Sequence, residues 1–147
     1  MGTRSNICYT NADYSLKVAY CHFDGDVNHQ GPILLKHYNS SELAEELVLN
    51  GYMSGLAPTI EEINERRVHK DKPERYESLG EYLTTLSSDI EYTYVWGHGV
   101  GFVNSPQWQV FIHGARVSAP LAQLLNNSTA DGYTRRHKML LTYQTLI

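Results

Sequence analysis

Alternating apolar and polar residues along the chain predict four β-strands, arranged as two hairpins. Residues 5–9 and 16–23 are rich in β-branched, aromatic and Cys side chains, and the turn-forming residues 10–13 separate them. Residues 92–96 and 108–112 form a second pair of similar character. Because successive side chains of a strand point to opposite faces, each segment can present an apolar face to a core.

Between the hairpins, apolar residues recur at helical spacing and helix-capping residues precede them. Residues 24–31 contain two glycines and are predicted to form a loop, whereas residues 32–38 are predicted to form a short helix because a proline opens them. Asn39, Thr59 and Ser78 are each followed three residues later by Glu, which is the capping-box pattern of a helix start. These signals predict further helices before the second hairpin.

Short strands with helices grouped between and after them predict an α+β fold, with a small antiparallel sheet of about four strands and helices packed on one face. A chain of 147 residues is long enough for a single core. We expect a core domain over residues 1–114 and a helical C-terminal extension over residues 115–147. The extension is predicted to hold helices over residues 119–125 and 133–143 and to pack on the core.

Charge and cysteine content narrow the classes of partner. The net charge of −4 divides into −7 over residues 1–114 and +3 over residues 115–147, and an acidic chain argues against nucleic acid as the main partner. No apolar run is long enough for a membrane helix or a signal peptide, so we expect no membrane partner and a cytoplasmic location. Cys8 and Cys21 fall on the two strands of the first hairpin. A disulfide is conceivable, but reduced thiols are expected in a cytosolic protein.

The densest group of chemically versatile side chains follows the second strand. His22 and Asp24 lie two residues apart, so both can point to the same side, and His37 follows in the next predicted helix. Such a group is compatible with a metal site, with ligand binding or general acid–base catalysis, or with a turn that has no chemical role. Because the spacing matches no established metal motif, we predict neither a metal nor another cofactor.

A glycine-rich segment over residues 97–107 joins the two strands of the second hairpin. A phosphate-binding loop opens a helix after a strand, whereas this segment leads from strand to strand, so it is predicted to be a hairpin tip. Such a tip can contact a partner through exposed His98 and Phe102. The chain also holds 11 tyrosines, a residue type that is enriched at binding surfaces and is common as a half-buried strand residue.

Three distinctive blocks lie in the N-terminal part of the chain: Met-Gly-Thr-Arg-Ser-Asn-Ile (1–7), Tyr-Cys-His-Phe-Asp-Gly (20–25) and Gly-Pro-Ile-Leu-Leu-Lys-His-Tyr (31–38). Two later segments are Glu-Tyr-Thr-Tyr-Val-Trp (91–96) and Trp-Gln-Val-Phe (108–111). The three blocks resemble a family of small, uncharacterised proteins encoded by tailed bacteriophages, and the two later segments resemble the closing hairpin of that family, so that the resemblance covers roughly residues 1–113. It implies a phage origin, and therefore the cytoplasm of a bacterial host, but it implies no particular activity.

These observations favour a binding protein without catalysis. We predict a phage accessory factor that binds and blocks a host protein, or that sequesters a small anionic, nucleotide-like signal, during host takeover or counter-defence. Arg4 would contact the anion in a bidentate manner, and His22 and His37 would supply hydrogen bonds. Tyr38 would stack on the ligand, and Asp24 would be part of the same binding pocket or surface patch.

Two alternatives remain open at this point. One is a small nucleotide or phosphodiester hydrolase in which His22 and His37 act as acid and base and Asp24 orients one of them. The other is a self-associating structural protein whose copies meet through residues 119–143.

Overall fold

The computed structural model describes residues 2–97, 106–126 and 141–142. Within these residues, eight strands form one mixed sheet in the order β3-β2-β1-β5-β6-β7-β8, and β4 pairs with β2 beside β3. The strands are β1 (Ser5–Thr10), β2 (Leu16–Phe23), β3 (Met53–Gly55), β4 (Glu74–Tyr76), β5 (Tyr92–Gly97), β6 (Gln107–Ile112), β7 (Val117–Pro120) and β8 (Leu141–Thr142).

Helices cover both faces of this sheet. They are α1 (Val27–His37), α2 (Ser41–Leu49), α3 (Ile60–Arg66), α4 (Leu79–Thr84) and α5 (Leu121–Asn126). The larger apolar cluster lies between the sheet and α1, α2, α3 and α5, and its members include Ile7, Leu34, Leu47, Ile63, Val110 and Leu121. A smaller cluster lies on the opposite face, where Tyr82 of α4 packs with Cys8 and Phe111.

The α+β class is confirmed, and so are both hairpins. β1 and β2 pair antiparallel, as do β5 and β6. The sheet is larger than the predicted four strands and partly parallel, because β1 pairs in parallel with β5 and β2 with β3. The prediction that all helices lie on one face is wrong, since α4, unlike the other four described helices, packs on the other side.

The first helix begins five residues earlier than the sequence predicted. Residues 27–31 were predicted to be loop, yet α1 starts at Val27 and carries Pro32 in its interior. A Cβ added to Gly31 would lie 2.9 Å from Leu125 Cδ1 and 3.1 Å from Leu121 Cδ1. Gly31 therefore allows α1 and α5 to approach closely. A glycine normally indicates a helix end, but here its missing side chain is needed for packing inside the helix.

Side-chain caps start three of the helices. Thr59 and Ser78 accept hydrogen bonds from the backbone N–H groups three residues later, as predicted. The cap of α2 is Ser40 rather than the predicted Asn39, and its Oγ accepts from Leu43 N at 3.2 Å. The hydroxyl is one residue closer to the helix than the amide, so it reaches the free N–H groups of the first turn.

The segment after Gly114 joins the sheet directly. Where a helix was predicted over residues 119–125, the chain completes β7 and then forms the short helix α5, which packs against α1. Most of the predicted helix over residues 133–143 lies outside the described residues, but residues 141 and 142 form β8 and pair with β7. Among the described helices, none has the length and apolar character that crossing a bilayer requires.

Cys8 and Cys21 lie on adjacent strands but face opposite sides of the sheet. Cys8 belongs to the smaller cluster and Cys21 to the larger one, and both thiols are free and buried, so the prediction of unpaired cysteines is confirmed. Burial raises the pKa of Cys21 to about 12 and raises that of Cys8 well above its ordinary value. Neither thiol is a candidate nucleophile.

We expect both thiols of the native protein to resist a thiol reagent such as Ellman's reagent near pH 8. A pKa raised by about three units makes the thiolate fraction roughly a thousandfold smaller. The two cysteines should react together, and only as the protein unfolds in denaturant. Rapid reaction of one equivalent in the native protein would contradict this expectation.

Candidate functional site

The predicted acid–base residues lie on different sides of the sheet. His22 is on the face of β2 that also carries Tyr20, and its Nδ1 lies 2.8 Å from Tyr20 Oη in a hydrogen bond. His37 ends α1, which packs on the other face. Asp24 follows β2 in an exposed, left-handed conformation with φ +59°. The structure therefore does not bring His22 and His37 together.

The remaining predicted residues are also dispersed. Tyr38 is only 3% exposed, and its hydroxyl donates to the Ala57 carbonyl at 2.7 Å, so its ring is part of the core rather than a stacking platform. Arg4 is paired with Asp89 across 3.6 Å. No group of three potential metal ligands occurs within residues 2–97, 106–126 and 141–142. His98 and Phe102 lie outside the described residues.

A cavity of about 260 Å³ opens on the side of the sheet that α4 covers, and we name it the aromatic cleft. Its floor is formed by Asn6 and Val18, and its walls by aromatic rings. The rings are those of Tyr20, Tyr52, His69 and Tyr76. Predominantly aromatic walls with a polar group at the base are typical of small-molecule sites.

The pairing of the strands explains where the aromatic residue of each wall of the cleft lies. Tyr20 on β2 lies opposite Asn6 on β1, and Tyr52 directly precedes β3, which pairs with the end of β2. The rings of Tyr20 and Tyr52 are 6.0 Å apart and inclined by 32°, while His69 stacks on Tyr52 at 3.9 Å. Tyr76, at the end of β4, closes the opposite wall.

The rim of the aromatic cleft carries charges of both signs. Lys72 lies beside Asp71 and Glu74 in its lining. Arg4 lies next to Tyr20, where its charge opposes the burial that raises the pKa of that phenol. Tyr20 is therefore a neutral hydroxyl near pH 7. The rim is suited to a ligand with a polar or ionic group outside the cleft, but it is not strongly positive.

A chain of buried hydrogen bonds starts at the floor of the cleft. Asn6 Nδ2 donates to Tyr82 Oη at 2.7 Å, and Tyr82 Oη lies 2.7 Å from Thr93 Oγ1. Thr93 Oγ1 in turn lies 2.6 Å from His113 Nε2. We name this chain the relay. It runs beneath α4, which covers it with the buried ring of Tyr82.

The hydrogen bond that Asn6 donates gives the relay a direction. Tyr82 accepts from Asn6, so its own hydroxyl can donate to Thr93, and the Thr93 hydroxyl can donate to Nε2 of His113 in the tautomer that carries its proton on Nδ1. Burial, with a smaller contribution from Arg116, lowers the pKa of His113 to about 4, so the imidazole is neutral near pH 7 and one of its ring nitrogens is an acceptor. Burial also raises the pKa of Tyr82 well above 10.0, which keeps its proton in place. Each hydroxyl in the relay both accepts and donates one hydrogen bond.

The far end of the relay reaches a second concavity of about 720 Å³. We name it the His113 groove; apolar side chains of α4 and the following loop line it together with Glu91 and Arg116. It is the larger of the two cavities, but its described lining holds a single ring, that of His113, whereas four rings line the aromatic cleft. The relay connects the two cavities through the protein.

Reasoning from the sequence found part of this site. The tyrosine surplus pointed to a binding surface, and Tyr20 and Tyr52 are two of its members. Asn6 and Thr93 were missed because a polar residue inside a strand normally indicates a solvent-facing position. No local signal marks His113, whose role depends on Thr93, twenty residues earlier.

Comparison of the chain with protein-family models, with curated proteins and with solved structures gives no match.

Proposed function

We propose that the protein is a non-catalytic binding protein that takes a planar, nucleotide-like small molecule in the aromatic cleft. The observation that carries the proposal is the arrangement of aromatic rings around a space of about 260 Å³ whose floor holds a carboxamide. Pockets for drug-sized ligands measure roughly 300–1,000 Å³, so this cleft suits one heteroaromatic ring system. The rest of such a ligand would extend past the rim.

Stacking would supply most of the affinity. Each base stacked on an aromatic side chain contributes about 1–3 kcal/mol. Tyr20, which lies opposite Asn6, is partly exposed in the cleft, and its hydroxyl is held by the hydrogen bond with His22 Nδ1 at 2.8 Å. A ring that is already fixed loses little conformational entropy on binding. Lys72 at the rim could pair with an anionic group of the ligand.

The separation of His22 from His37 favours binding over hydrolysis by that pair. A general acid and a general base must both reach the reacting group, and here the sheet lies between them. The phage setting and the host cytoplasm are supported by the resemblance of the N-terminal blocks. Blocking of a host protein and self-association through residues 119–143 remain predictions.

Nucleotide binding can be measured by isothermal titration calorimetry with AMP, GMP, CMP and UMP. We expect at least one to bind, and Tyr20→Leu to weaken binding about tenfold, because leucine keeps apolar volume but loses the stacking face. Tyr14→Leu is the matched control, since Tyr14 is 62% exposed and lies outside the cleft. Circular dichroism should show that both variants are folded.

Two results would overturn this function. Absence of binding by any of the four nucleotides at millimolar concentration would remove the proposed ligand class. Recovery of a chemically altered nucleotide after long incubation with the protein would show catalysis, and the non-catalytic assignment would then be wrong.

A further inference from the structure

We infer that the aromatic cleft selects a ring with an amino donor beside a ring-nitrogen acceptor, as in adenine, and that the relay from His113 sets this selectivity through Asn6. The inference rests on the proposed function, because it names the ligand class of the same cleft. It assigns specificity to Asn6, and positioning roles to Tyr82, Thr93 and His113, which do not line the cleft.

The carboxamide of Asn6 has one side in the relay and one side on the cleft. The side chain has two N–H groups and one oxygen, and its Nδ2 is bonded to Tyr82 Oη. The buried side-chain atoms without a partner in the described chain are Gln30 Nε2 and Gln109 Oε1, so Asn6 Oδ1 is not among them. Asn6 lines the cleft, and it therefore presents Oδ1 and the second N–H there.

An acceptor beside a donor is the pattern with which asparagine recognises adenine. Its oxygen accepts from the exocyclic amino group, and its N–H donates to the adjacent ring nitrogen. On the same edge a 6-oxopurine presents two acceptors, O6 and N7, so its carbonyl would face Asn6 Oδ1 without a hydrogen between them. A buried site built for a donor disfavours a ligand that lacks it, because the protein's acceptor is then left unpaired.

The relay determines which edge of Asn6 faces the cleft. If the amide rotated by half a turn, Oδ1 would meet Tyr82, and Tyr82 would have to donate to it. Thr93 would then donate to Tyr82, and His113 would need a proton on Nε2. In the structure Asn6 turns its nitrogen toward Tyr82, which matches an accepting Nε2 at the other end of the relay and leaves the Asn6 oxygen for the cleft. Both cavities are thereby linked by the direction of three hydrogen bonds.

The test compares AMP with IMP, which differ at the position that Asn6 would read and share the ribose phosphate. Calorimetry of the wild-type protein should give at least about tenfold tighter binding of AMP. Thr93→Val interrupts the relay with almost no change in volume, and the ratio of the two dissociation constants should fall toward one. Thr93→Ser keeps the hydroxyl and should keep the ratio. Tyr82→Phe interrupts the relay at the next bond and serves as a second variant if Thr93→Val fails to fold.

The outcomes separate this inference from the proposed function. If IMP and the four nucleotides of the first test all fail to bind to the wild-type protein, the proposed function fails and the inference with it. If CMP or UMP binds but AMP does not, the proposed function stands and the inference is wrong. If AMP and IMP bind equally well, the cleft remains a binding site but the selectivity assigned to Asn6 is wrong. If the preference for AMP persists in folded Thr93→Val and Tyr82→Phe proteins, the relay does not set it.

Discussion

Replacing Gly51 with alanine should lower the free energy of unfolding by about 3 kcal/mol and should also weaken binding at the aromatic cleft. Gly51 has a φ of +78°, a left-handed conformation that costs a residue with a side chain roughly 1–2 kcal/mol. In addition, a Cβ at this position would lie 1.9 Å from the Asp71 carbonyl oxygen. Because that oxygen belongs to the backbone, the loop segment around Asp71 would have to move.

The displaced carbonyl links the destabilisation to the site. Asp71 O accepts the hydrogen bond from Tyr52 N, and the neighbouring Lys72 belongs to the rim. Movement of Asp71 should therefore shift the stacked ring of Tyr52 as well as the rim. We expect Gly51→Ala to reduce nucleotide affinity even at temperatures where the protein is fully folded.

Gly55→Ala is the matched control, because among the described residues no atom other than those of its chain neighbours lies within 4 Å of a Cβ at Gly55, which ends β3. Urea denaturation followed by far-UV circular dichroism should show a change of less than about 1 kcal/mol for this variant. Equal stabilities of the Gly51→Ala and Gly55→Ala proteins would show that the contact with Asp71 is easily relieved.

Local signals in the sequence predicted the elements whose determinants are close together in the chain. Gly51, two residues after α2, adopts the positive φ that a glycine at a helix end typically has. The hairpins and the caps at Thr59 and Ser78 are likewise decided within a few residues. The close approach of Asp71 to Gly51 was not predictable, because it depends on a loop twenty residues away.

The larger sheet could not be predicted for the same reason. β1 and β5 are separated by more than eighty residues, and nothing in either strand encodes that they pair in parallel. β3 and β4 have three residues each, which is too short for an alternating pattern. With β1 inside the sheet and covered on both faces, its polar residue Asn6 needs a buried partner, and Tyr82 on α4 supplies one.

The candidate site illustrates the limit of spacing arguments. Tyr20 and His22 share a face because they are two residues apart on one strand, and the spacing predicts this directly. The distance in sequence between His22 and His37 says nothing about which side of the sheet each occupies. That depends on how α1 crosses over the sheet, which is determined by tertiary packing.

Replacing Trp108 with alanine should be the most destabilising of the changes considered, with a loss of about 4 kcal/mol. Trp108 is only 1% exposed, and its ring meets that of Trp96 edge to face at 5.5 Å. Its indole Nε1–H donates to the Tyr38 carbonyl at 3.1 Å, and so joins β6 to the end of α1. Removal of the ring leaves a cavity between the sheet and the helices and breaks this connection. For a domain with a total stability of about 5–15 kcal/mol, that loss removes between about a quarter and four fifths of the free energy of unfolding.

Trp108→Phe separates the two contributions. Phenylalanine keeps most of the aromatic volume but cannot donate to Tyr38, so we expect an intermediate loss of about 1–2 kcal/mol from the unpaired carbonyl. Urea denaturation monitored by far-UV circular dichroism measures both variants without relying on tryptophan fluorescence. If Trp108→Phe cost as much as Trp108→Ala, the hydrogen bond would outweigh ring packing, and the junction between β6 and α1 would depend mainly on a polar contact. A cost below about 1 kcal/mol for alanine would mean that the core refills the space, and that the ring pair of Trp96 and Trp108 contributes little to stability.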